Sequence, residues 1–241
     1  MASETRSSLF VQGLRDGIPI CIGYFSVAFA FGIFAVSSGL APIEAVLMSA
    51  ANVTSAGQLA AVPVILSGGT LLELSASQFI INLRYALMSI LLSQKLDDSV
   101  RFADRFLIAF VNTDEVFAVA ASKESVGRQY MFGLILTPVF GWAGGTALGA
   151  FAGSILPPLV ITALGIMIYG MFIAIFVPAA KENRSVLFCV LLAAVLSCLF
   201  RYLPLLSQIQ TGYAIIICSV LAAVAAAALF PIAEKEEAHE I

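Results

Sequence analysis

The chain has 241 residues, of which 61% are hydrophobic and 11% charged, with a formal net charge of −3 and a mean hydropathy of +1.02. A soluble domain carries roughly 25% charged residues, so this composition excludes an ordinary water-soluble fold and points to a lipid-embedded one. The small net charge gives no footing for nucleic-acid binding, and the one histidine, His239, lies in the tail, leaving no helix with an imidazole for haem, zinc or a Ser-His pair.

The N-terminal segment, residues 1–17, carries Arg6 and Arg15 among Leu9, Phe10, Val11 and Leu14. It is either a short interfacial helix or a polar lead-in to the first span. No small-residue cleavage site follows the apolar run, so the first helix is expected to stay in the mature chain. Crossing a bilayer takes about 20 apolar residues. Runs at 18–38, 42–66, 71–92, 131–153, 157–177 and 213–230 meet that length, and 186–203 is shorter but sufficient. One further segment, 106–121, is apolar at both ends and interrupted by Asn112-Thr113-Asp114-Glu115. The expected fold is therefore an all-α polytopic membrane bundle of seven or eight spans. Residues 18–231 form a single transmembrane domain, followed by an acidic tail over 232–241. Glu44 and Glu73 stand near helix starts, where dipole complementarity accounts for them, and Arg201 is expected at an interface. The four cysteines (Cys21, Cys189, Cys198, Cys218) sit in apolar runs without a CxxC spacing and are expected as free thiols.

Basic residues fall at Arg6/Arg15, Lys95/Arg101/Arg105, Lys123/Arg128, Lys181/Arg184 and Lys235. Placing most of them in the cytoplasm, with a cytoplasmic N-terminus, needs an even number of crossings between Arg15 and Lys95, yet three candidate spans lie there. One resolution is that 42–66 is broken or re-entrant, because its centre runs Asn52-Val53-Thr54-Ser55-Ala56-Gly57-Gln58 and Pro63 follows. The alternative is that 106–121 crosses and one basic loop faces outward. A faint internal echo pairs Gly32-Ile-Phe-Ala-Val-Ser37 with Gly149-Ala-Phe-Ala-Gly-Ser154.

Polar groups inside such spans cost several kcal/mol each unless they face a cavity or one another. Asn52, Thr54, Ser55 and Gln58 offer amides and hydroxyls at a helix break, where open ends present N–H groups to anions and C=O groups to cations. They either bind a solute such as an amino-acid zwitterion or bond neighbouring helices. Arg84 lies deep in 71–92 beside Asn82 and Tyr85, and is either a fork for a substrate carboxylate or the ion-pair partner of Asp114 or Glu115. One of those two carboxylates is then free to titrate, as proton coupling requires; otherwise they cap a helix end. Gly141, Gly145, Gly149 and Gly153 recur every four residues and make a smooth stripe about 18 Å long, suited to helix packing or to a partner membrane subunit. The sequence lacks GxxxxGK[ST], HExxH and GxSxG, which disfavours ATP binding through a P-loop and common hydrolytic chemistry, so neither an enzyme nor a cofactor is expected.

Gly23-Tyr24, Phe31-Gly32, Gly39-Leu40, Met48-Ser49 leading to Gln58, Asn82-Leu83-Arg84-Tyr85 and Thr113-Asp114-Glu115 together resemble the AzlC family over roughly residues 13–230. That resemblance implies the large subunit of a bacterial inner-membrane exporter of branched-chain amino acids, driven by the proton gradient and working with a small AzlD-type membrane subunit of about four spans. The chain departs from the family pattern before Gln58: many members carry an aromatic followed by Ala-Gly-Ala-Ser, whereas Val53-Thr54-Ser55-Ala56-Gly57 stands here. The competing expectations are a passive channel for small metabolites and a non-transporting membrane assembly protein.

Overall fold

The computed structural model describes residues 2–153 and 155–231, so the acidic tail expected over 232–241, with His239, lies outside the described residues, as does Ser154 of the echo. The described residues form ten helices: α1 (Ala2–Ser37), α2 (Pro42–Ala51), α3 (Ser55–Leu66), α4 (Leu71–Ser93), α5 (Phe102–Phe110), α6 (Asp114–Ala121), α7 (Arg128–Ala152), α8 (Pro158–Glu182), α9 (Arg184–Tyr202) and α10 (Thr211–Leu229). The fold is all-α, as the composition requires, and α1, α4, α7, α9 and α10 are long and apolar enough to cross a membrane. The N-terminal segment is not a separate surface helix: α1 runs unbroken from Ala2, with Pro19 inside it. The chain divides into two compact units, Met1–Met171 and Phe172–Ile241.

In the first unit, α1 and α7 lie side by side over most of their length. The glycine stripe makes this possible. A Cβ at Gly149 would land on the Phe29 carbonyl, one at Gly145 would meet the Phe25 carbonyl oxygen at 2.5 Å, and one at Gly141 would strike the Cys21 carbonyl. Gly153 is looser, with its nearest α1 atom, the Ile33 Cα, at 3.8 Å from such a Cβ. From the α1 side, Gly13, Gly17 and Gly32 press on the backbone around Leu134 and Ala150 in the same way. Partner numbers rise together along both helices, so α1 and α7 are parallel, and the described part of the echo lies within this contact.

Parallel α1 and α7 impose a parity rule. The chain between them must return across the bilayer an odd number of times, and α4, about 35 Å long, supplies one crossing. The two broken segments therefore either both cross or both turn back. Local contacts show that both turn back. Leu66, at the end of α3, approaches Gly39, at the end of α1, while Phe31, Ala35, Leu40, Ala45 and Val62 share one buried cluster. At the opposite end of α4, Lys95 Nζ donates to the carbonyls of Ala121 and Lys123 at 2.8 Å each, and the backbone of Leu96 bridges to Val126. Asp104, in the first turn of α5, accepts from Arg128 at the start of α7. Thus α2/α3 and α5/α6 are re-entrant hairpins that dip from opposite faces, each with arms of about 12–18 Å against a core about 30 Å thick. The first break was legible as re-entrant in the sequence; with the second also turning back, at most six of the described helices, α1, α4, α7, α8, α9 and α10, are left to cross, in place of the expected seven or eight spans.

In the second unit, α9 and α10 are joined through 203–210, and Phe188 near the start of one stacks obliquely on Phe230 after the end of the other, with centroids 5.7 Å apart.

Candidate functional site

Both hairpin tips reach α4. In α2/α3 the break falls at Asn52-Val53-Thr54, with Asn52 and Thr54 in extended conformation. Thr54 caps α3 by accepting from the Gly57 N–H at 3.4 Å, and Ser55 opens that helix. Asn52 Nδ2 donates to Gln78 Oε1 at 3.1 Å, Asn82 Nδ2 donates to the same oxygen at 3.3 Å, and Gln78 Nε2 donates to the Gly57 carbonyl at 2.9 Å. Gly57 has to be glycine for this approach, since a Cβ there would lie 2.5 Å from Gln78 Oε1. On the α7 side, the buried hydroxyls of Ser49 and Thr146 are 2.7 Å apart, and Trp142 Nε1 donates to the Ser49 carbonyl at 3.0 Å. Gln58, 1% exposed, keeps its Oε1 without a hydrogen-bond partner.

The second tip is ionic. The break at Val111-Asn112-Thr113 is followed by Asp114 and Glu115 in the first turn of α6, where the helix dipole favours negative charge. Arg84 Nη1 pairs with Asp114 Oδ2 at 2.6 Å, both side chains being about half exposed. The guanidinium also sits 4.9 Å from the Tyr85 ring centroid, and Nη2 donates to the Tyr85 hydroxyl at 3.3 Å. Glu115 takes a different partner, accepting from the Tyr24 hydroxyl of α1. Asn112 Nδ2 donates to Ser89 Oγ at 3.1 Å.

Arg84 lies 13 residues from the start of α4 and nine from its end, hence near mid-membrane. The sequence-derived residues therefore sort into two groups. Asn52, Thr54, Ser55 and Gln58 sit at the first tip, with Asn82 joined to Asn52 through Gln78; Arg84, Tyr85, Asp114 and Glu115 sit at the second. A link between the tips comes from two aromatic residues, Tyr24 and Trp142. Tyr24 meets the edge of Trp142 with centroids 5.3 Å apart, so Glu115, Tyr24, Trp142 and Ser49 form a continuous chain. Gln78 was detectable as a polar residue four positions before Asn82, on the same face of α4. Tyr24 and Trp142 carried no such signal, since an aromatic in an apolar run is ordinary.

Two cavities bear on these groups differently. One, about 130 Å³, lies beside the second tip between α4 and α5. Another, about 410 Å³, belongs to the α9/α10 unit and is lined by Arg201, Ser197, Ser207 and Thr211, none of them a residue of either tip.

A family model described as "AzlC protein" matches residues 19–156, which contain both hairpins and their α4 partner. "Inner membrane protein YgaZ" of Escherichia coli is 31% identical over 197 residues, covering 78% of this chain and 80% of that protein. An "Uncharacterized membrane protein" of Archaeoglobus fulgidus is 36% identical over 186 residues, covering 76% of this chain and 82% of the relative. No solved structure matches the chain.

Proposed function

The chain belongs to the AzlC family, and from that premise we propose that it is a secondary exporter of small hydrophobic, branched-chain amino acids across the bacterial inner membrane. The observation that carries this reading is the meeting of two opposed re-entrant tips on one helix at mid-membrane. Broken helices at membrane depth are tolerated where they are buried in protein or line a solute cavity, and their free ends suit a zwitterion. Asn52, Thr54, Ser55 and Gln58 supply neutral polar groups on one side of that meeting point. Asn82, Arg84 and Tyr85 face it from α4.

In this mechanism Arg84 exchanges Asp114 for a substrate carboxylate during the cycle, and protonation of Asp114 or Glu115 accompanies the exchange. The hydrogen-bonded Tyr24 and Trp142 transmit a change at the α5/α6 tip toward α2. The basic residues Lys95, Arg101, Arg105, Lys123 and Arg128 gather at the α5/α6 base, which supports a cytoplasmic placement of that face and of the N-terminus. A small AzlD-like membrane subunit completes the exporter. The α1 backbone already fills the Gly141–Gly149 part of the stripe, so that subunit docks elsewhere.

Cells co-expressing the chain and its partner, loaded with valine- or methionine-containing dipeptides, should lose the released amino acid faster than control cells. Collapse of the proton gradient by an uncoupler should abolish that difference. Efflux that survives the uncoupler would make the protein a passive channel; unchanged efflux of every amino acid would remove the transport reading.

A further inference from the structure

The joined ends of α9 and α10 form a polar mouth at headgroup depth. Tyr202, 80% exposed, closes α9, and Tyr213 stands in the first turn of α10; exposed tyrosines at span ends mark the membrane–water interface. Arg201, in the last turn of α9, and Thr211, which opens α10, lie at the same level. Between the two helices opens the cavity of about 410 Å³, whose described lining residues all fall within 193–219.

Its mouth is rich in donors that nothing within the hairpin uses. The α9 dipole favours a cation in the last turn, which accounts for the charge of Arg201 but gives its five N–H groups no acceptor. Among the described residues Arg201 makes neither an ion pair nor a hydrogen bond, and the hydroxyls of Ser197 and Thr211 make no hydrogen bond. Ser207 Oγ donates to the Pro204 carbonyl at 3.1 Å. No carboxylate stands among the described lining residues, so the mouth carries a net positive charge. Deeper in, Ala193, Ile215 and Cys218 continue the cavity as an apolar wall interrupted by Ser219. Ala193 lies about 12 Å below Arg201 along α9.

We propose that this cavity binds an anionic phospholipid. Arg201 takes the phosphate with help from the Thr211 hydroxyl, Ser197, one turn deeper, donates to an ester carbonyl, and an acyl chain runs on along Ala193, Ile215 and Cys218. A guanidinium fork matches phosphate oxygens bidentately, and donors at membrane depth are costly until an acceptor meets them. The order from charge through hydroxyl to apolar wall is that of a phospholipid read from headgroup to chain. Inorganic phosphate would leave the apolar half unfilled, and a zwitterion would find no carboxylate for its ammonium. The site goes beyond the export reading and does not depend on what the hairpin tips carry.

The test is equilibrium binding of radiolabelled dioleoylphosphatidylglycerol to the purified full chain in detergent. Unlabelled competitors are the same lipid, dioleoylglycerol, which lacks the phosphate, and inorganic phosphate, which lacks the chains. Dioleoylglycerol should compete at least about tenfold less well than the phospholipid, and inorganic phosphate should not displace the label. Arg201→Gln should weaken the phospholipid by about tenfold or more while leaving dioleoylglycerol unchanged, as expected for loss of a charge-assisted pair. Ala193→Phe, which narrows the apolar wall without touching a charge, should weaken both lipids, and it decides the matter if Arg201→Gln does not fold. Displacement by inorganic phosphate as effective as by the phospholipid would make this a free-anion site and overturn the lipid. Phospholipid binding that both folded variants keep at wild-type strength would overturn the cavity. A folded wild-type chain that binds no phosphatidylglycerol, yet sheds a co-purified small membrane subunit on Arg201→Gln, would give the groove to a protein partner instead. Each of these outcomes leaves the efflux test of the export reading untouched.

Discussion

In α2/α3 the groups freed at the break are met by neutral amides and hydroxyls from α4 and α7, whereas in α5/α6 they lie beside two carboxylates, an arginine and a cavity. The two hairpins share a shape and break at similar residues, yet they differ in how much a change costs. A buried neutral bond that is broken leaves groups unpaired at about 1–3 kcal/mol each. The ion pair of the second hairpin is half exposed, so its groups can take other partners without opening a packed core. The first hairpin is thus the more costly to rearrange, and under the proposed function the second is the side on which protons and solute would act.

That contrast presupposes a common frame, and the largest effect comes from removing it. Both hairpins pack on α1 and α7, whose backbones touch through the glycine stripe. Gly149→Leu places a side chain on the Phe29 carbonyl and should abolish recovery of monodisperse protein. Normal recovery would mean that α1 and α7 do not hold the hairpins as described. Next in size is Gln78→Ala, which deletes the acceptor of Asn52 and Asn82 and the donor to Gly57 together. A loss of about 2 kcal/mol of stability is expected. Thermal unfolding in detergent should show it, with transport per folded molecule nearly retained. Arg84→Ala and Asp114→Asn should do the reverse: membrane insertion and folding are kept, and transport falls at least about tenfold. Equal losses of folded protein in all three variants would erase the distinction between the hairpins.

Much of this was legible from residues. Asn52 through Gln58 announced a break because hydrocarbon excludes such a cluster from a simple span, and Arg84 called for a carboxylate at the same depth. The four-residue spacing of Gly141, Gly145 and Gly149 foretold close backbone packing. Two things were hidden. Re-entrance of 106–121 depends on Lys95 and Asp104 reaching residues more than 20 positions away, and no local pattern encodes such contacts. The cavity beside Asn112 arises from two unremarkable helix faces, and its polar members look like ordinary loop residues until α4 and α5 are set opposite each other.

The bases of the hairpins carry the smallest effect and extend the contrast. At the base of α2, Glu44 Oε2 accepts among the described residues from the Ala41 N–H of the same helix start, at 2.8 Å. At the base of α5, Asp104 ties the hairpin across to α7, accepting from Arg128 Nε at 2.7 Å and from the Arg101 N–H at 3.0 Å. Burial pushes the Asp104 carboxyl up, but the Arg128 guanidinium and the Arg101 N–H outweigh it and hold the group below the usual carboxylate range. A carboxylate depressed in the folded state contributes stability above its unfolded value of about 3.9, and that contribution is lost as pH falls through the lower folded value. Asp104→Asn should therefore melt below wild type at pH 7, and the gap should close as the pH is taken below about 4. Glu44→Gln, lacking a cross-helix cation, should show a smaller gap at pH 7. If the Asp104→Asn gap stays constant down to pH 3, the anchor owes nothing to charge, and the second hairpin is tethered by packing alone, as the first one is.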